Sequence, residues 1–147
     1  MITPLRRDRN LQIILETGII AVIRAQSSEQ LVDVAKALRE GGVKAIEVTM
    51  TTPNALEVIR QVSALMKDDC VIGVGTVLDP ETARAAILAG AEFVVAPTLN
   101  LKTIHMCRRY SALCVPGAYT PTEILTAWEA GADIVKVVYT GDEKSFR

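Results

Sequence analysis

The sequence predicts an α/β protein of the TIM (β/α)8-barrel type, with the first six βα units present in this chain. Three observations carry that expectation. Apolar runs of strand length begin near residues 19, 45, 71, 93, 113 and 134, a repeat of about 23 residues, which suits one strand, one helix and two short loops. The runs are continuously apolar, as in Ile19-Ile20-Ala21-Val22-Ile23 and Phe93-Val94-Val95-Ala96, so burial on both faces is expected, as in a parallel sheet covered by helices. A steady period without a dinucleotide fingerprint favours the barrel over a doubly wound sheet. The one GxG, Gly73-Val74-Gly75, has Leu78 where a Rossmann loop needs its third glycine. That GxG has two readings, a close approach of backbone to ligand and plain strand packing.

Arg7 to Glu16 reads as a leading helix closed by Gly18, followed by the first strand, Ile19 to Ile23, which ends at Arg24. Ser27 with Gln30 three residues later is a capping-box pattern opening a helix through Arg39, ended by Gly41-Gly42. The second strand is Ala45 to Thr49. Thr52-Pro53 supplies an N-cap and a first-turn proline for a helix to about Met66. Val71 to Val74 is the third strand, and Asp79-Pro80 starts a helix running to Gly90. Phe93 to Ala96, a helix over Leu101 to Tyr110, and Leu113 to Val115 follow. Thr120, Pro121 and Glu123 together cap a helix closed by Gly131, and a sixth strand then carries Lys136. Eight units of this length would run past residue 147, so the expectation is a single, incomplete barrel domain over residues 1–147 whose first and sixth strands are apolar edges.

Half of the 147 residues are hydrophobic, ample for a core, and 16 basic against 17 acidic side chains leave a formal charge of -1. Neither nucleic acid nor an anionic membrane is implied as a partner; a small-molecule ligand is. Three cysteines without C-x-x-C spacing fit reduced thiols in a cytoplasmic protein. One histidine, His105, excludes a histidine-rich metal site, and the polar start, with Glu16 breaking the next apolar run, predicts neither signal peptide nor membrane span.

The chemistry centres on Gly131-Ala132-Asp133-Ile134-Val135-Lys136, where a lysine stands inside an apolar run. A buried lysine is rare unless paired, and desolvation favours its neutral, nucleophilic form. Glu47 stands five residues after Gly42, as Lys136 stands five after Gly131. In a barrel, alternate strands share layers of inward side chains and function sits at the C-terminal ends, so Glu47 and Lys136 are predicted to face each other in one layer. Around them the rim gathers Arg24, Thr49, Thr76 and Pro97. The bland reading of the pair is a buried ion pair of little net worth. The functional reading is imine chemistry on a ketone, with Glu47 moving protons, which permits reversible carbon–carbon cleavage without metal or cofactor. Arg24 either meets a substrate carboxylate or is solvated, Thr49 and Thr76 either bind ligand or cap backbone, and Pro97 shapes a wall.

The succession Ile20-Ala21-Val22-Ile23-Arg24, Gly41-Gly42 through Glu47 to Thr49, Gly73-Val74-Gly75-Thr76, Ala96-Pro97, Val115-Pro116-Gly117 with Thr120 to Glu123, and Ile134-Val135-Lys136 resembles the 2-keto-3-deoxy-6-phosphogluconate (KDPG) / 4-hydroxy-2-oxoglutarate aldolase family. The resemblance spans Gly18 to Val138. It implies a metal-free class I aldolase on a TIM barrel, cleaving KDPG to pyruvate and glyceraldehyde 3-phosphate, with activity on 4-hydroxy-2-oxoglutarate in some members and a homotrimeric assembly. By the same resemblance Lys136 is the Schiff-base lysine, Glu47 the general acid/base, Arg24 and Thr76 hold the keto-acid end, and Pro97 lines the pocket. Met50-Thr51-Thr52 stands where many members carry an arginine, Val138-Tyr139 stands where an aromatic-proline pair is common, and the strands seven and eight after which the family's glycine- and serine-containing turns hold phosphate are absent from this sequence, with no substitute in the polar tail from Tyr139 to Arg147. Two other functions fit the residues: a sugar-phosphate isomerase or epimerase working through Glu47, and a non-catalytic barrel fragment that assembles with another chain.

Overall fold

The computed structural model describes residues 5–24, 28–66 and 69–138. Helix α1 (Arg6–Thr17) precedes five βα units, β1 (Ala21–Ile23), α2 (Ser28–Glu40), β2 (Ala45–Thr49), α3 (Ala55–Met66), β3 (Val71–Gly75), α4 (Pro80–Ala89), β4 (Phe93–Val95), α5 (Leu101–Arg109) and β5 (Leu113–Val115) with β6 (Gly117–Ala118), α6 (Pro121–Glu129); β7 (Lys136–Val137) follows. Strands β1 to β5 form one parallel sheet in chain order, and β6 pairs in parallel with β7. Pro116 separates β5 from β6, but the arc is continuous: Cys114 O accepts from Asp133 N at 3.0 Å and Pro116 O from Lys136 N at 3.0 Å. Each strand lies beside the next in sequence, as the staves of a TIM barrel do.

Local chemistry accounts for the helix ends. Asp79 accepts from Thr82 N at 2.6 Å with Pro80 in the first turn, and Asn100 receives the N–H groups of Lys102 and Thr103. Thr120 and Glu123 complete the predicted capping box. Helix α3 starts later than Thr52-Pro53 suggests, at Ala55, because the Thr52 hydroxyl turns to within 3.4 Å of Thr49 Oγ1 and Asn54 takes φ +55°. The first strand is also shorter than predicted, with Ile19 exposed ahead of it. The Ser27 half of the predicted capping box and the tail from Tyr139 to Arg147 lie outside the described residues.

Two apolar clusters hold the layers together. Between sheet and helices, Ile46, Val48, Ile72, Val74 and Val94 meet Leu31, Val58, Ile59, Val62 and Ile104. On the concave face Ala45, Val71, Phe93, Val95, Leu113 and Val115 form a second cluster that α1 covers with Ile14. Strands β2 to β5 are buried throughout, as their apolar runs predict. Strands β1 and β7 are not, and Val22 and Val137 are 44% and 51% exposed. Burial of an aliphatic side chain is worth about 1.5–3 kcal/mol, so the centre of the arc carries the apolar stabilisation and its two ends carry little. No helix among the described residues is long and apolar enough to cross a membrane.

Candidate active site

Glu47 lies mid-way along β2, opposite Val22 of β1 and Gly73 of β3. It points to the concave face, since its neighbours Ile46 and Val48 belong to the cluster beneath the helices. The residue is 5% exposed. Burial pushes its carboxyl above the ordinary carboxylate range, and Lys136 and Arg24, whose positive charges reach it, pull part of the way back. Lys136 of β7 and Arg24 at the end of β1 thus act on Glu47 through their charges.

The lysine departs from expectation in one respect: Lys136 is exposed. The cause is its position. Strand β7 has β6 on one side and no strand on the other among the described residues, so nothing covers it. Nor do the ion pairs of the described residues include one between Glu47 and Lys136. The reading of these two as a buried structural ion pair therefore has no support in the geometry.

Thr49 is fully buried one level above Glu47, with its hydroxyl 3.0 Å from Thr51 Oγ1. Thr76, directly after β3, is half-buried with φ +61°. That conformation is unfavourable for a β-branched residue and tends to persist where a site requires it. Pro97 follows β4, and its carbonyl lies so near Gly117 that a Cβ there would run into it; Pro97 thus abuts β6, whose Gly117 pairs with Lys136 of β7. Arg24 is exposed at the mouth.

The glycines of Gly73-Val74-Gly75 have an answer in side-chain packing. A Cβ on Gly73 would overlap the ring of Phe93, and one on Gly75 would overlap the Glu47 carboxylate. The sequence motif marked the position, but the side chains that fill it come from other strands.

Behind the site, Asp133 anchors the approach to β7. Its side chain is 4% exposed, pairs with the Arg7 guanidinium of α1, and accepts from Cys114 N at 2.8 Å. A cavity of about 700 Å³ lies at the opposite end of the sheet, between α1 and the starts of β4 and β5, lined by Arg6, Asn10, Ser63 and Tyr110 among others; it is remote from Glu47. Among the described residues no cluster of three or more His, Cys, Asp or Glu side chains is placed to hold a metal ion.

Comparison with known proteins gives a consistent result. The profile of the aldolase family described as KDPG and KHG aldolase matches residues 11–143. A 2-dehydro-3-deoxy-phosphogluconate aldolase of Treponema pallidum is 38% identical over 121 residues, covering 80% of this chain and 56% of the relative. Among solved structures, the 2-keto-3-deoxy-6-phosphogluconate aldolase of Zymomonas mobilis ZM4 with 3-phosphoglycerate superposes with a TM-score of 0.79 at 27% identity, over 96% of this chain and 66% of that one. The KDPG aldolase of Legionella pneumophila, with pyruvate captured as a covalent carbinolamine intermediate, gives 0.71 at 28% identity, over 76% and 54%. This chain thus spans little more than half the length of several relatives it matches.

Proposed function

This chain belongs to the KDPG and KHG aldolase family, and from that membership we propose that it works as a class I aldolase on a 2-keto-3-deoxy sugar acid, KDPG first and 4-hydroxy-2-oxoglutarate second. The observation that carries the reading is the buried Glu47 carboxyl, raised by its surroundings and acted on by the charges of Lys136 and Arg24. An acid of raised affinity for protons within electrostatic reach of a primary amine is the equipment that imine chemistry needs. The carbinolamine captured in the Legionella pneumophila relative supports the same chemistry here.

In this reading the free amine of Lys136 attacks the C2 ketone, and the carbinolamine loses water to give an iminium ion. Glu47 then takes the C4 hydroxyl proton, directly or through a water. The C3–C4 bond breaks, its electrons pass into the iminium to form an enamine, and the aldehyde leaves. Glu47 returns the proton to C3, and water releases pyruvate and regenerates the amine. Arg24 faces the substrate carboxylate, the strained Thr76 offers its hydroxyl to the same end, Thr49 presents a second hydroxyl, and Pro97 forms the wall. Lys136 is exposed in this structure, so its amine is open to an incoming ketone. Aldolase relatives weigh against the isomerase reading.

We place the protein in the cytoplasm, in keeping with three free, buried thiols, and as a homo-oligomer, a trimer by family resemblance. Leu125 and Trp128, 58% and 54% exposed on successive turns of α6, support an apolar contact face. The test of function is pyruvate release from KDPG, followed with a coupled dehydrogenase. Loss of release in Lys136→Ala, with cleavage intact in the parent, is the expected result; equal release by both would overturn the assignment.

A further inference from the structure

We propose that Gly75 is a positioning residue for Glu47: it is the seat in which the carboxylate lies, and it sets the height of the acid in the site. This rests on the aldolase reading for its kinetic consequence, though not for its structural one.

The argument begins with the register. Glu47 pairs with Gly73, Thr49 with Gly75, and Gly73 in turn with Phe93. On the concave face, the space beside Glu47 at its own level is therefore the space above Gly73. That space is taken, because a Cβ on Gly73 would overlap the Phe93 ring, and Phe93 is fully buried. The glutamate cannot lie straight across β3. It rises one level along the strand, and its carboxylate comes to rest over Gly75, where a Cβ would overlap Oε1 and Cδ and stand 2.8 Å from Cγ. Real Cβ atoms do not approach other atoms so closely, so any side chain at 75 expels the carboxylate from this position.

Two further facts make the seat specific. Gly75 is absent from the positive-φ residues, so its backbone is open to any amino acid and conformational freedom is not the reason for glycine. The requirement is one of space alone. In addition, the level reached by the carboxylate is that of Thr49 and of the start of the strained Thr76 turn, the C-terminal rim at which barrel sites lie. A Glu47 held at the level of Gly73 would be one strand repeat of two residues, about 6.6–6.8 Å, deeper, beyond direct reach of a substrate at the rim. Each glycine of the GxG thus serves one side chain: Gly73 admits Phe93 as the floor, and Gly75 admits Glu47 above it.

The test is a cycle of Gly75→Ala, Glu47→Ala and the double variant, read by thermal melting, with Gly75→Ala also placed in the parent and Glu47→Gln backgrounds and read by kinetics on KDPG. The methyl of Gly75→Ala is expected to lower Tm in the presence of Glu47 and to leave it unchanged or raise it in the Glu47→Ala background, where the space is vacant. A general packing role for Gly75 would lower Tm equally in both backgrounds and overturn the proposal. Should Gly75→Ala alone fail to fold, folding of the double variant supports the seat, and failure of both refutes it. Kinetically, Gly75→Ala is expected to lower kcat at least about 10-fold, within the range of a displaced general acid/base, with KM changed less than about 3-fold, and to add no further loss to Glu47→Gln. Unchanged kcat, or an equal further loss in the Glu47→Gln background, would overturn the positioning role. If the parent protein does not cleave KDPG, the aldolase reading fails while the melting cycle still decides the seat.

Discussion

Asp133 offers the sharpest test of how β7 is held. Leu113 N donates to Glu92 O of the β4 side at 3.0 Å, so in the alternating pattern of a strand the next N–H, that of Cys114, points away from β4. Its acceptor is Asp133 Oδ2 at 2.8 Å, while Oδ1 pairs with Arg7. Replacing Asp133 by alanine leaves Cys114 N–H buried without an acceptor, which costs about 1–3 kcal/mol. It also releases Arg7, whose side chain is 29% exposed and can return to water, so the lost pair adds only about 0.5–1 kcal/mol. The expected total for Asp133→Ala is about 1.5–4 kcal/mol, a large part of the roughly 5–15 kcal/mol of a whole domain. Asp133→Asn keeps an oxygen for Cys114 and loses only the charge, about 1 kcal/mol. Urea unfolding followed by circular dichroism measures both, as shifts in midpoint at constant slope. Equal losses for the two variants, or a loss below about 1 kcal/mol for alanine, would show that the Cys114 hydrogen bond is not what fastens β7 to β5.

Glu47→Gln should slow KDPG cleavage by roughly 10²-fold or more yet stabilise the fold at neutral pH. The sign follows from the raised carboxyl: its contribution is fully present below the unfolded value, near 4.5, and is lost as pH rises through the higher folded value. The advantage of the glutamine variant should therefore vanish below about pH 4 and grow towards neutrality, which melting curves across that range will show; a variant less stable than the parent at pH 7 would contradict the burial argument. Thr76→Gly should relieve a positive-φ strain of about 1–3 kcal/mol against an entropy penalty of about 0.5–1 kcal/mol, so Tm holds or rises while KM for the keto-acid increases. A clear fall in Tm would mean that Thr76 is retained for packing.

Much of this architecture was legible because its signals are local. The runs at Ala45–Thr49 and Leu113–Val115 became strands with those bounds, and the caps at Asp79 and Thr120 formed as their side chains dictate. What escaped depends on neighbours distant in sequence. Lys136 stands in an apolar run, but burial is conferred by what flanks the strand, and β7 has a partner on one side only among the described residues. Thr52 has the chemistry of an N-cap, but Thr49 competes for its hydroxyl. Pro116 breaks the fifth strand into two because it has no N–H for a ladder, a break that the short run Leu113–Val115 did not announce. A common offset from glycine marks Glu47 and Lys136 in the sequence, whereas the reason for Gly75 lies in the placement of the Glu47 side chain.

The central claim is that Lys136 is the amine that reacts with the keto-acid, beside Glu47. Incubation with pyruvate and borohydride, followed by peptide mapping, measures it directly: reduction of an imine fixes the three-carbon unit on the lysine that formed it. The expected result is irreversible label on Lys136, lost in Lys136→Ala. Label on a different lysine, or none on the well-folded protein, would contradict the account.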